Sequence, residues 1–200
     1  LIRNLDEILK ASDGVIVARG DLGLEMGLEE IPLLQKRIIE KAAYFGKYVI
    51  TATQMLEAMI EKETPTRAEV SDVANAVLDG TDAVLLSGET AAGKFPLKAV
   101  EAMRKILARV EDLKKSHFAI VGEGVLEKRG AYSLARSASE IAEKLKIDRI
   151  VPFTYSGISA LRVSKFHPKA WIIAMTPQKS VWRKMGIYWG VYPVLTRMVK

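Results

Sequence analysis

Short apolar runs alternate with amphipathic stretches along this chain, and that alternation limits its possible folds more than any other feature. Val15-Ile16-Val17-Ala18 is an apolar run bounded by Asp13-Gly14 and Gly20. Tyr48-Val49-Ile50-Thr51-Ala52-Thr53 and Ala83-Val84-Leu85-Leu86-Ser87 repeat the form. A strand's side chains alternate between two faces, so a strand apolar at every position is one buried on both. Between the runs the period lengthens. Ile31, Leu34, Ile38, Ile39 and Ala42 recur at three- and four-residue spacing, which predicts a helix over 28–44 that Gly46 ends. Thr66-Arg67-Ala68-Glu69 has the form of a capping box and predicts a helix to Leu78, stopped by Asp79-Gly80. A long helix over 97–113 follows, with Pro96 near its start. Strands alternating with helices predict a parallel sheet. Three such units fit a piece of a (β/α)₈ barrel or of a doubly wound sheet.

The pattern breaks at Lys114-Lys115-Ser116-His117 and Gly122-Glu123-Gly124, which read as a connector. It restarts with a helix over 132–145. Strands are predicted at 149–153, 171–175 and 192–195, with helices near 158–166 and 180–187. The expectation is two α/β domains, residues 1–116 and 117–200, the second smaller.

Composition removes several chemistries. The chain has no cysteine, so disulfides, zinc–thiolate sites, iron–sulfur clusters and cysteine nucleophiles are excluded. His117 and His167 are the only histidines, so a three-histidine metal site is excluded too. No apolar run approaches the roughly 18 residues of a membrane span. The first residues, Leu1 to Glu7, have neither the basic nor the apolar part of a signal peptide. A cytoplasmic protein without membrane partners is expected. The net charge of +6 comes from the last quarter, where residues 151–200 hold eight Lys or Arg and no acid. That quarter reads either as a binding face for an anion, most simply a phosphate, or as a solvated face whose acidic partners lie elsewhere. Nucleic acid is not expected, since no helix-turn-helix, zinc-finger or RNP-type motif is present.

Parallel α/β folds place ligands at the C-terminal ends of their strands. After the first run comes Ala18-Arg19-Gly20-Asp21-Leu22-Gly23. A carboxylate between two glycines suits Mg²⁺, a hard cation, and glycine lets backbone N–H groups approach an oxyanion. The same string also reads as a plain Gly-Asp turn. Thr53-Gln54-Met55-Leu56-Glu57 follows the second run, and its threonine reads as a donor to a carboxylate or phosphate, or as a helix N-cap. Ser87-Gly88-Glu89-Thr90 follows the third with the same ambiguity.

The strings themselves go further. Ala18 to Gly23, Ala52 to Glu57, Pro65 to Glu69 with Asp72 to Gly80, and Leu86-Ser87-Gly88-Glu89-Thr90-Ala91 closely resemble the pyruvate kinase family, in its order and at its spacing. The resemblance implies the last three βα units of a (β/α)₈ TIM barrel, followed by the first part of a C-terminal regulatory α/β domain with three layers. It implies a glycolytic phosphotransferase that converts phosphoenolpyruvate and ADP to pyruvate and ATP. It also implies Mg²⁺ or Mn²⁺, K⁺, a cytoplasmic setting and a homotetramer. By matching position, Asp21 is the metal ligand. The amides of Gly20 and Asp21 and the hydroxyl of Thr53 bind the substrate carboxylate, and Ser87 lies near the face where the enolate is protonated. Arg19 is expected in a structural or subunit contact. Thr154-Tyr155-Ser156-Gly157-Ile158-Ser159 resembles the family's loop for a phosphorylated effector. Ile158 stands where relatives that bind a sugar bisphosphate often have Arg or Lys, which puts that effector in doubt.

The resemblance also implies what the chain lacks, namely the lysine and glutamate of an upstream strand, the K⁺ site and the nucleotide-covering domain. The expectation is a pyruvate kinase fragment, inactive alone. Two other classes stay open: a metal-dependent barrel lyase or aldolase acting on an enolate, and a non-catalytic phosphate-binding or assembly module.

Overall fold

The computed structural model describes residues 2–113 and 129–197. The connector read at 114–117 and 122–124 lies outside the described residues. The chain separates into two compact units, each built on its own three-stranded sheet.

The first unit opens with α1 (Leu5–Ala11) and β1 (Gly14–Ala18), runs through α2 (Arg19–Glu25) and α3 (Ile31–Tyr44) as far as Ala42, and resumes at Val49 in β2 (Tyr48–Ala52). It continues through α4 (Arg67–Asp79), β3 (Ala83–Leu85), α5 (Gly88–Ala91) and α6 (Pro96–Leu113). The sheet order is β1-β2-β3, and β2 pairs with β3 in parallel, Ile50 opposite Ala83. The helix expected from residue 28 starts later. Leu28–Glu30 forms a 3₁₀ turn and α3 begins at Ile31. Pro32 then sits in the first turn, where its missing N–H costs no bond. Ile31, Leu34, Ile38, Ile39 and Ala42 are all buried, as their spacing requires.

The capping box is present. Thr66 Oγ1 accepts the Glu69 N–H at 3.2 Å, and Glu69 Oε2 accepts the Thr66 N–H at 2.7 Å. Glu69 Oε1 also accepts the Ala58 N–H at 2.6 Å, so one side chain caps α4 and ties down the turn before it. Gly80 ends α4 at φ +102°, a left-handed conformation that glycine adopts without steric cost. Buried Val73 and Ala76 of α4 and Ala99 and Met103 of α6 share one core with Met55, Leu56 and Met59. The sheet itself is less enclosed than its apolar sequence requires. Ile16 is 57% and Leu85 37% exposed.

The second unit runs α7 (Arg129–Lys144), β4 (Arg149–Ile150), α8 (Ile158–Ser164), β5 (Trp171–Thr176), α9 (Lys179–Met185) and β6 (Val191–Leu195). Its strands are parallel in the order β4-β5-β6. The strand expected over 149–153 is only two residues long, with Phe153 rejoining Met175 as an isolated bridge. Ile172 and Ala174 of β5 point into the core with Ala135, Ala160, Val163 and Met185. The opposite face leaves Trp171 exposed. Among the described residues no helix is long and apolar enough to cross a membrane.

Candidate functional site

Of the residues singled out after the first three strands, Gly20 and Thr53 are joined directly, Asp21 is next to Gly20 in the chain, and Ser87 is linked through Glu89 to Leu56 beyond the Thr53 turn. The segment after β1 is not the turn its glycines suggest. It enters helix α2 at once, with Arg19 first and Gly20 and Asp21 in the opening turn. Amides there have no preceding helical carbonyl to bond. The Gly20 N–H instead donates to Thr53 Oγ1 at 2.8 Å. A Cβ at residue 20 would lie 3.5 Å from that oxygen, an ordinary contact distance. Asp21 is exposed at the helix start.

Thr53 is not a helix N-cap. It and Gln54 both have positive φ, +67° and +54°. Two consecutive non-glycine residues in that region cost about 1–3 kcal/mol each, and a β-branched threonine is the less tolerant. Arg19 holds the turn in place. Its Nε and Nη2 donate to the Thr53 carbonyl at 3.1 and 2.9 Å, and Nη2 donates to the Gln54 carbonyl at 2.7 Å. Nη1 meets both oxygens of Asp72, at 2.7 and 2.6 Å. The planar five-donor guanidinium can serve all these acceptors at once, and a lysine cannot. The buried Arg19 is therefore the clamp of the Thr53 turn, in keeping with its expected structural contact.

β3 stops at Leu85, two residues earlier than its apolar run suggests. Ser87 precedes α5 with φ −118° and ψ −91°, and makes no side-chain cap. Its N–H donates to Glu89 Oε2 at 2.8 Å. Glu89 Oε1 accepts the Leu56 N–H at 3.0 Å. So one carboxylate, only 2% exposed, joins the segment after β2 to the segment after β3. Sequence reasoning missed Asp72 and Glu89 as site-building residues. Asp72 meets Arg19 from 53 residues away and Glu89 reaches Leu56 across 33, beyond any spacing rule.

Behind Ser87 the chain turns back through Gly93. A Cβ there would sit 2.5 Å from the Glu89 carbonyl oxygen and 3.2 Å from Ile60 Cα, both backbone atoms. Gly93→Ala is expected to cost about 1–3 kcal/mol by overpacking. Urea unfolding checks this, as a lower midpoint at unchanged slope.

Asp21 offers one hard oxygen ligand. Among the described residues no group of three or more His, Cys, Asp or Glu side chains gathers to hold a metal. Mg²⁺ is commonly held by one or two carboxylates together with substrate oxygens and water, so Asp21 fits one place in such a set.

The loop 154–159 lies in the second unit. Thr154 and Gly157 are buried, while Tyr155, Ser156, Ile158 and Ser159 are exposed. Thr154 Oγ1 accepts the Gly157 N–H at 2.9 Å, and Gly157 has φ +85°. The threonine and the glycine build the turn, and the other four residues face outward.

Known proteins share this layout. Residues 1–100 match the family model described as pyruvate kinase, barrel domain, and residues 132–200 match pyruvate kinase, alpha/beta domain. A pyruvate kinase from Chlamydia muridarum is 46% identical over 98% of this chain, which covers 41% of that protein. One from Geobacillus stearothermophilus is 48% identical over 96% of this chain and 33% of its own length. The crystal structure of a pyruvate kinase from Cryptosporidium parvum superposes with a TM-score of 0.90 at 42% identity, over 99% of this chain and 41% of that one. The chain thus spans between a third and about two-fifths of the length of these relatives. Both units are matched by a model of the same family, and the strand-end strings carry the geometry described above: the chain belongs to the pyruvate kinase family.

Proposed function

We propose that these residues form part of a site that transfers the phosphoryl group of phosphoenolpyruvate to ADP, giving pyruvate and ATP. The observation that carries this reading is the join of Gly20 to Thr53 at the strand ends, with Asp21 in the same helical turn. Family membership supports it. In this reading the hydroxyl hydrogen of Thr53 and the amide of Asp21 receive the substrate carboxylate, while the single Gly20 N–H expected to join them is given to Thr53 Oγ1 instead. The Gly20 amide bond to Thr53 Oγ1 orients that hydroxyl beforehand, which spares reorganisation during reaction. The bond from phosphorus to the enol oxygen breaks, a bond from phosphorus to a terminal ADP oxygen forms, and the enolate carbon takes up a proton. Ser87 lies on the side from which that proton arrives. Asp21 holds Mg²⁺ or Mn²⁺, which when bound supplies positive charge to neutralise the developing anion. K⁺ serves the same reaction, and no residue singled out here is assigned to it.

The same reading makes the first unit the last three βα units of a (β/α)₈ barrel. The parallel β2–β3 pair and the exposed Ile16 and Leu85 support this, because neighbouring barrel strands would cover such faces. Residues 1–116 and 117–200 are then the two domains, the second a three-layer α/β unit. The exposed residues of loop 154–159, within the basic last quarter, take the phosphate of an effector. The working protein is a cytoplasmic homotetramer.

The test is pyruvate formation from phosphoenolpyruvate by the intact native polypeptide. ADP-dependent turnover is expected with that polypeptide and none with these 200 residues alone. Pyruvate release without ADP, or aldol cleavage, would favour a lyase instead. Sugar-phosphate binding with no turnover in either chain would favour a binding module.

A further inference from the structure

We infer that Glu89 is a positioning residue that sets where Ser87 stands against the Thr53 turn; this rests on the reaction proposed above. Its carboxylate is buried and both oxygens accept backbone amides, one from each strand-end segment. The two ends of this tie are not held equally. The Thr53 end has a second anchor, because Arg19 grips the carbonyls of Thr53 and Gln54. Met55 and Leu56, which follow, are fully buried. The Ser87 end relies on Glu89 for its amide. The other bonds of Ser87 are made by its carbonyl, to the amides of Thr90 and Ala91 at 3.2 and 2.9 Å and to the Thr90 hydroxyl at 3.3 Å, all within the short helix, whose far end is tied by the Lys94 N–H to the Ile60 carbonyl at 2.8 Å.

This asymmetry makes the inference specific. Loss of the carboxylate lets Ser87 move and leaves Thr53 where it is. Binding of the substrate carboxylate therefore survives while the proton-delivery side is misplaced. The loss appears in kcat and not in KM. A residue that merely stabilised the fold would move melting temperature, kcat and KM together.

The variants are Glu89→Gln, which replaces one acceptor oxygen by a donor facing an amide donor, and Glu89→Asp, which keeps the charge and shortens the reach. In the intact native polypeptide, Glu89→Gln is expected to lower kcat about ten- to a hundred-fold, since small misplacements of reacting groups cost that much. The KM for phosphoenolpyruvate is expected to stay within about three-fold, the signature of an interaction that matters only in the transition state. Glu89→Asp is expected to fall between the two. Unchanged kcat, or KM rising in step with a fall in kcat, overturns the inference. Amide hydrogen exchange judges the tie without turnover. In the unaltered chain the Leu56 and Ser87 amides are expected to exchange about a hundred-fold or more slower than free amides. In Glu89→Gln, whose single oxygen serves only one of the two amides, Ser87 is expected to lose more protection than the fully buried Leu56. Exchange of Ser87 at the free rate in the unaltered chain overturns the inference even if the variants do not fold. An unaltered polypeptide that makes no pyruvate overturns the proposed reaction, and exchange still decides whether Glu89 holds Ser87.

Discussion

Asp21→Ala in the intact native polypeptide is expected to abolish most pyruvate formation while leaving the fold untouched. The side chain is exposed at the start of α2. Exposed substitutions of this kind change stability by about 0.5 kcal/mol or less. The chemical effect is far larger. A metal ion that neutralises the developing charge is worth several kcal/mol, so losing its carboxylate ligand lowers turnover about a hundred- to a thousand-fold. The measurement is kcat for ADP-dependent pyruvate formation at saturating Mg²⁺ or Mn²⁺, with a thermal melt alongside. A near-normal kcat would remove Asp21 from the metal site. A collapsed melt would mean that its role is structural.

Arg19→Ala is expected to have the largest effect on stability. The guanidinium is buried beneath the Thr53 turn, and its side chain is 8% exposed against 38% for Asp72. Removing one partner of a fully buried pair costs roughly 3–5 kcal/mol, and the partial exposure of Asp72 reduces that to about 2–4 kcal/mol. The consequence goes beyond the ion pair. Without the bonds to their carbonyls, Thr53 and Gln54 have nothing to offset their left-handed backbone. The turn is expected to relax, taking the Thr53 hydroxyl away from the Gly20 amide. Arg19→Lys restores a charge near Asp72 and not the fork of bonds, so it is expected to recover part of the stability and little of the activity. Urea unfolding and substrate KM measured on both variants decide this. Full activity in Arg19→Lys would show that charge alone suffices.

How much of this was legible in advance depended on the range of the interaction. Helix α4 was readable because its signals are local. Thr66 and Glu69 cap each other three residues apart, and Gly80 stops the helix within a turn of its last buried residue. The core face of α3 follows from three- and four-residue spacing in the same way. Helix α2 was not readable. Glycines at 20 and 23 are poor helix formers and read as turn residues. Yet the Gly20 N–H finds its partner in Thr53 Oγ1, and a Cβ at residue 23 would press within 3.2 Å of Ile31 Cδ1. Tertiary packing overrode local propensity. β3 stops where its partner does: Leu85 pairs with Ala52, the last residue of β2, and the chain turns left-handed at Thr53 just beyond.

The candidate site divides along the same line. Gly20, Asp21, Thr53 and Ser87 could be named because ligands gather at the C-terminal ends of parallel strands, and the strings that follow those strands can be read directly. Their fastening could not be named. Thr53 is a poor residue for positive φ, and no local pattern announces that it adopts one. Arg19 forces it there through bonds that span 34 residues, while Asp72 balances the charge from 53 residues away. Alternation, capping and strand-end strings determined the fold class and the family and named the candidate site residues, because each is encoded within a few residues of chain. The strained turn, the buried guanidinium and the shared carboxylate of Glu89 were decided by the tertiary structure alone. Each depends on burying a polar group, which is stable only where distant backbone arrives with the matching donor or acceptor.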